Sequence, residues 1–159
     1  MLYPTKFGFD PLFPSSKDFK VVLKDDKTGL GVICYKSFKK GDILAKMAGE
    51  IVQDLRQHTL QIDNDNHLYD TYFSGYFLHS CEPNISLNME NMSVTALCDI
   101  EAKTFLYMDY SQTEDFLYKQ FQCGCGTTKC RGWITGRMEI PESMIAITDY
   151  KNNPNGIIN

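Results

Sequence analysis

The residues whose types and spacing suit chemistry fall in three places. Cys123, Cys125 and Cys130 form a C-x-C-x4-C run, with Gly124 and Gly126 between them. Glycine lets so short a loop wrap three thiols around one centre. Zinc takes soft sulfur ligands in a tetrahedron, so the run predicts a metal site one ligand short. Spacing alone leaves the fourth open among Cys34, Cys81, Cys98 and the three histidines, His58, His67 and His79. The competing reading is three free surface thiols, although thiols packed so closely and exposed would oxidise readily. Cys34 and Cys98 lie in apolar stretches and read as small buried hydrophobes.

The second place is Phe77-Leu78-His79-Ser80-Cys81-Glu82-Pro83-Asn84, where an imidazole, a thiol, a proline and an amide follow an aromatic stretch. The third is Tyr107-Met108-Asp109-Tyr110, thirteen residues before the first of the clustered cysteines. Gly29-Leu30-Gly31 adds a weaker signal: such a pair allows close backbone approach to a ligand, but more often marks a turn. Taken singly, each of these fragments also fits a structural role.

The elements that must position them read as short strands. Segments 19–24, 31–36, 43–47, 59–62, 93–98 and 104–110 are rich in β-branched or aromatic residues and separated by Gly, Asp, Asn or Lys. Helical periodicity is weak, with 112–121 and the shorter 54–58 the candidate helical segments. Residues 1–18 hold three of the six prolines and read as an extended lead-in, and the chain turns loop-like from Met138 onward.

At 159 residues, with 43% hydrophobic and 23% charged side chains, the chain can bury one real core, which excludes global disorder. Its net charge of -4 argues against broad electrostatic capture of nucleic acid and suits a basic protein partner. No apolar run reaches the roughly 18 residues of a membrane span, and no secretory leader is evident. Scattered plus clustered cysteines do not make a disulfide framework, so an intracellular location, cytoplasmic or nuclear, is expected.

In this order the segments resemble the SET-domain lysine methyltransferase family with its post-SET zinc segment, over about residues 19–136. Gly29-Leu30-Gly31-Val32 is similar to the family's opening G-x-G. Lys40-Gly41-Asp42-Ile43 and Gly49-Glu50-Ile51-Val52 resemble the segments that follow it, and His79-Ser80-Cys81-Glu82-Pro83-Asn84 its N-H-S-C-x-P-N signature. Asp109-Tyr110 matches the D-Y of the catalytic strand, and Phe121 to Gly126 with Cys130-Arg131-Gly132 the post-SET segment. The chain departs from the pattern at Leu78, where the family carries asparagine, across Gly75, Tyr76 and Phe77, where an arginine is usual, and at Lys103-Thr104-Phe105. It departs again at Ser111, where glycine is usual, and a cysteine-rich pre-SET module is missing.

The resemblance implies a mainly β SET-domain fold of several short sheets with a knot-like C-terminal strand crossing, plus a small zinc-bound post-SET segment. Residues 1–18 would be the lead-in, 19–112 the SET domain, 113–137 the post-SET segment and 138–159 a tail. It implies S-adenosylmethionine-dependent methyl transfer to the ε-amine of a lysine in a protein or peptide; from charge and the lack of an apolar span, neither nucleic acid nor membrane is expected as a direct partner. Tyr110 would be the catalytic tyrosine. Gly29, Leu30, Gly31, Leu78 and His79 would meet the cofactor, and Trp133 would cap it or the lysine channel. Tyr69, Tyr72, Tyr76, Phe77 and Tyr107 are candidate channel walls, whose faces favour a cation. Cys81 would join Cys123, Cys125 and Cys130 on one structural zinc per chain. Two alternatives remain: a SET-like binding or scaffold module without turnover, and methyl transfer to a peptide or small-molecule amine.

Overall fold

The computed structural model describes residues 1–142 and 144; the predicted tail at 143 and 145–159 lies outside the described residues. The strands, in chain order, are β1 (Phe19–Asp25), β2 (Gly29–Cys34), β3 (Ile43–Lys46), β4 (Glu50–Val52), β5 (Thr59–Gln61) and β6 (His67–Tyr69). They continue with β7 (Leu78–His79), β8 (Ile85–Asn88), β9 (Ser93–Ala96), β10 (Tyr107–Met108), β11 (Phe121–Gln122) and β12 (Trp133–Ile134). A single helical turn, α1 (Tyr110–Thr113), follows β10.

Five small sheets result. β1 and β2 form an antiparallel hairpin with Phe19 opposite Cys34. Its turn is closed by Asp25, whose carboxylate accepts from the backbone N–H groups of Lys27 and Thr28 and from the Thr28 hydroxyl. Two three-stranded sheets run in the orders β3-β9-β8 and β4-β6-β5, and β11 pairs with β12. β7 and β10 pair in parallel, Leu78 opposite Tyr107 and His79 opposite Met108. The Asn84 side chain grips β10 from another side, accepting from Tyr107 N–H at 2.8 Å and donating to the Phe105 carbonyl at 2.9 Å. That grip on both flanks of 105–108 is the strand crossing that brings the late segment into the middle of the molecule.

The core lies under these crossings. Phe19 stacks on Phe38 at 5.8 Å and meets Phe73 edge-on at 5.1 Å, and Phe73 in turn meets Phe77 at 5.0 Å. Val32, Val94, Leu106 and Met108 are sealed among them. Each such side chain contributes roughly 1.5–3 kcal/mol by leaving water. The lead-in packs on this core through Tyr3, whose phenol donates to the buried Asp70 carboxylate at 2.6 Å, and contains one 3-10 turn, Thr5–Phe7. Asp70 also accepts from the backbone N–H groups of Tyr72, Phe73 and Ser74, and so bends the chain sharply before β7. Gly75 completes that bend: a Cβ there would lie 2.0 Å from the Asp70 carbonyl oxygen, so only glycine fits.

Several local expectations differ. The segment 112–121 is not a helix: α1 ends at Thr113, and Glu114 turns away so that its carboxylate accepts the Gln61 backbone N–H. The segment 54–58 is a bend and turn, with His58 in the left-handed region at φ 69°. Strands β4, β6, β7 and β8 arise where none is predicted, because two to four residues held by neighbouring strands need little propensity of their own. Cys98 is exposed, since β9 ends at Ala96 and the chain bends outward before Ile100; Cys34 is buried as expected.

Candidate active site

A cleft of about 960 Å³ opens between the β1–β2 hairpin, the 55–60 segment, the β7–β10 crossing and the 116–127 segment. Tyr110 lines it. The residue stands at the first position of α1, a turn begun by Asp109, whose side chain accepts from Ser111 N–H. The Tyr110 phenol donates to the Phe77 carbonyl at 2.8 Å, and its ring is held edge-on between His79 at 5.2 Å and Phe121 at 5.9 Å. Burial, and then the nearby Glu114 carboxylate, raise the phenol well above its ordinary value, so it stays protonated and acts as a donor.

His79 is shut in, with 3% of its side chain exposed, and burial lowers its imidazole to about 4 against the pull of Asp109. It is therefore neutral, accepting the Tyr110 backbone N–H at Nδ1 (3.3 Å) and lying 3.5 Å from Cys81 Sγ at Nε2. Glu114 is buried in the cleft wall, and desolvation raises its carboxyl to about 7.

Cys81, Cys123, Cys125 and Cys130 converge so that their sulfurs all lie within 4.8 Å of one another. Cys81 and Cys123 are 3.9 Å apart, close to the ~3.8 Å edge of a tetrahedron with zinc–sulfur bonds of about 2.3 Å. Burial pushes the Cys123 thiol up to about 12, while the Thr127 hydroxyl draws Cys125 down to about 5. Four such sulfurs become thiolates together only around a cation, and the donor set fits zinc, with no position left for water.

The sequence-predicted residues divide. Gly29, Leu30, Tyr76, Phe77, Leu78, His79, Tyr107 and Tyr110 line the cleft together with Cys123 and Cys125. Cys81 and Cys130 complete the sulfur cluster outside the lining. Gly31, Tyr69, Tyr72 and Trp133 do not line the cleft. Gly31 is covered by Leu78, whose Cδ1 would stand 2.7 Å from a Cβ at that position. Tyr69 lies under the Arg56 guanidinium at 5.0 Å, and Tyr72 packs on Tyr3 and Phe7 of the lead-in. Trp133 turns its indole N–H to Gln120 Oε1 at 2.9 Å.

Other residues reach the cleft unforeseen. Phe116 and Tyr118, 50% and 62% exposed, present aromatic surface where Trp133 is expected. Lys24 and Lys27 bring positive charge to the Gly29–Leu30 side. His58 shapes the opposite rim, with Nδ1 at 2.8 Å from the Gly75 carbonyl and its ring against Tyr76 at 4.5 Å. The aromatic run 116–121 is the sequence signal for them, and it falls within the candidate helical segment 112–121.

No protein-family model matches the chain. Among curated proteins it is 26% identical over 168 residues to the variant-silencing SET domain-containing protein of Plasmodium falciparum, covering 86% of this chain and 6% of that protein. It is also 26% identical over 155 residues to the histone-lysine N-methyltransferase trithorax of Drosophila virilis, covering 82% of this chain and 4% of that one. The chain thus spans a small fraction of the length of these relatives. Among solved structures it superposes on KRYPTONITE in complex with mCHG DNA and SAH, with a TM-score of 0.59 and 22% identity, over 72% of this chain and 29% of that one. The fold is that of a SET domain.

Proposed function

Starting from the SET-domain fold, we propose that the chain transfers methyl groups from S-adenosylmethionine to the ε-amine of a lysine in a protein or peptide substrate. The observation that carries this reading is the Tyr110 phenol, locked onto the Phe77 carbonyl in the wall of the cleft. The cleft lies at the upper end of the range for cofactor-sized ligands, leaving space for a lysine side chain beside one. On this reading 19–112 is the catalytic domain, 113–137 the zinc segment and 1–18 a lead-in.

S-adenosylmethionine, when bound, supplies an electrophilic methyl group on a sulfonium. Gly29 and Leu30 would hold it with backbone atoms, His79 through its main chain, and Lys24 and Lys27 suit its carboxylate. A lysine amine is almost wholly charged at pH 7, and freeing its lone pair costs about 5 kcal/mol. Loss of water between Tyr76, Phe77 and Tyr107 and repulsion by the cationic sulfonium would lower that cost, against the attraction of the ring faces for a cation. Tyr110, its only proton committed to the Phe77 carbonyl, would orient the amine by accepting an N–H at its phenol oxygen. The proton of the ammonium leaves to solvent before transfer.

The test is mass spectrometry of lysine-containing peptides, histone tails first, after incubation with labelled cofactor. A mass gain of one or more methyl groups, lost in Tyr110→Phe, supports the proposal; no gain on any peptide or free amine sinks it. A second reading, a SET-like binding module without turnover, is favoured by one observation. Leu78 puts an apolar side chain against Gly31, at the position where the resembled family's signature has asparagine. Failure of S-adenosylmethionine at millimolar concentration to raise the melting temperature would select it.

The solved neighbour named above is a complex with DNA, so net charge alone does not exclude nucleic acid as a partner. No helix among the described residues is long and apolar enough to cross a membrane. The proposed protein substrate suits a nuclear or cytoplasmic location, and fractionation tests it.

A further inference from the structure

We infer that Arg131 is a positioning residue that couples the four-cysteine metal site to the helical turn that begins at Tyr110; the inference rests on the zinc reading of that site. Arg131 directly follows the ligand Cys130, and its backbone N–H points at Cys81 Sγ, 3.4 Å away. Its guanidinium crosses to the β10 end and grips Asp109 with two bonds, Nη1 to Oδ2 at 3.0 Å and Nη2 to Oδ1 at 2.5 Å. Nη1 also donates to Ser111 Oγ at 2.8 Å, and that hydroxyl donates to Asp109 Oδ1 at 2.9 Å. One residue therefore touches a metal ligand at its backbone and both neighbours of Tyr110 at its side chain.

The chemistry gives this arrangement consequences in both directions. An N–H aimed at a thiolate, and a cation beside a four-thiolate zinc centre of net charge -2, stabilise the bound metal. Asp109 is 7% exposed at its side chain, and its carboxylate is kept charged by the Arg131 fork and Ser111 despite the opposing effect of burial. Taking the fork away leaves that charge buried and unmatched. It also loosens the turn that Asp109 begins at Tyr110. Ser111 stands where the resembled family carries glycine, so the third corner of the clamp is this chain's own. Because one residue holds both sites, through its backbone N–H on one side and its guanidinium on the other, metal release and Tyr110 mobility are linked reciprocally.

The test uses the full chain loaded with zinc, and needs no methylation activity. Zinc release to a chromogenic chelator and hydrogen exchange of amides 107–113 are measured for wild type, Arg131→Met, Arg131→Lys and Ser111→Ala. Arg131→Met should release zinc at roughly tenfold to hundredfold lower chelator concentration and exchange faster across 107–113. Arg131→Lys keeps the charge without the fork, and should hold zinc nearer the wild-type level while exchange still rises. Stripping zinc from wild type should accelerate exchange at 107–113 and leave the β1–β2 hairpin unchanged, a reciprocity that a merely structural side chain would not produce. Exchange at 107–113 indifferent to metal, or zinc held equally by wild type and Arg131→Met, would overturn the coupling. Should Arg131→Met fail to fold, Ser111→Ala and the stripping experiment decide. A wild-type chain that binds no zinc would overturn the metal reading and the coupling with it, whereas absent methyl transfer alone would touch only the proposed activity.

Discussion

Burial acts on two side chains of the cleft in the same sense, holding the proton on both the Tyr110 phenol and the Glu114 carboxyl. Tyr110 spends its proton on the Phe77 carbonyl, so Tyr110→Phe leaves that carbonyl without its donor. The expected cost to folding is about 1 kcal/mol, a fall of a few degrees in melting temperature, while methyl transfer drops by roughly a hundredfold or more. Equal losses of stability and activity would deny the phenol a catalytic role. Glu114, raised to about 7, binds its proton more tightly in the folded state than its ordinary value of 4.5 allows when unfolded. Its contribution is therefore complete below about pH 4.5 and is lost as pH rises through about 7. Glu114→Gln should melt higher than wild type at pH 8, with the gap closing at pH 5; thermal melts at the two pH values check it.

Individual elements are short, and their placement depends on side chains far away in sequence. The lead-in illustrates this: the Tyr3 phenol meets Asp70 across 67 positions, and Asp70 in turn holds the backbone turn that delivers Phe77 to Tyr110. Tyr3→Phe deprives a buried carboxylate of one donor, so urea denaturation should show a loss of about 1–3 kcal/mol. The same variant should speed hydrogen exchange over 72–77; a change confined to residues 1–18 would show that the lead-in packs without supporting the site. The strand ranges near 19–24, 43–47 and 93–98 were legible because alternation and β-branched residues are local properties. β7 was not, since two residues become a strand only when Leu78 and His79 find β10. Beyond the single turn that ends at Thr113, the expected helix at 112–121 does not form for a related reason: Phe116, Leu117 and Tyr118 lie in a run of bends, and Phe121 in β11, that together line the cleft.

At the scale of the whole molecule, the small sheets of the described residues, with two or three strands each, leave much of the stability to crossings between segments and to the sulfur cluster. Elemental analysis should find one zinc per chain. Cys81→Ser should lower zinc retention and the melting temperature together, because binding free energy of a structural metal is folding free energy. Unchanged zinc content in that variant would remove Cys81 from the ligand set. Proteolysis should then cut first between 119 and 134, where β11 and β12 contribute only two residues each.

The chemistry available to this chain was written in its order of residues. Three clustered cysteines, a histidine-cysteine-asparagine run and a late tyrosine carry their reactivity wherever they sit, and their spacing already restricted what they could do together. Which groups meet was decided only by packing. Burial and distance depend on segments brought together from far apart in sequence, as Tyr3 is with Asp70 across 67 positions and Leu106 with Val32 across a still longer stretch. That is why Trp133 turned to Gln120 and Tyr72 to the lead-in, why Phe116 and Tyr118 took places at the cleft, and why Arg131 came to stand between the sulfurs and Asp109.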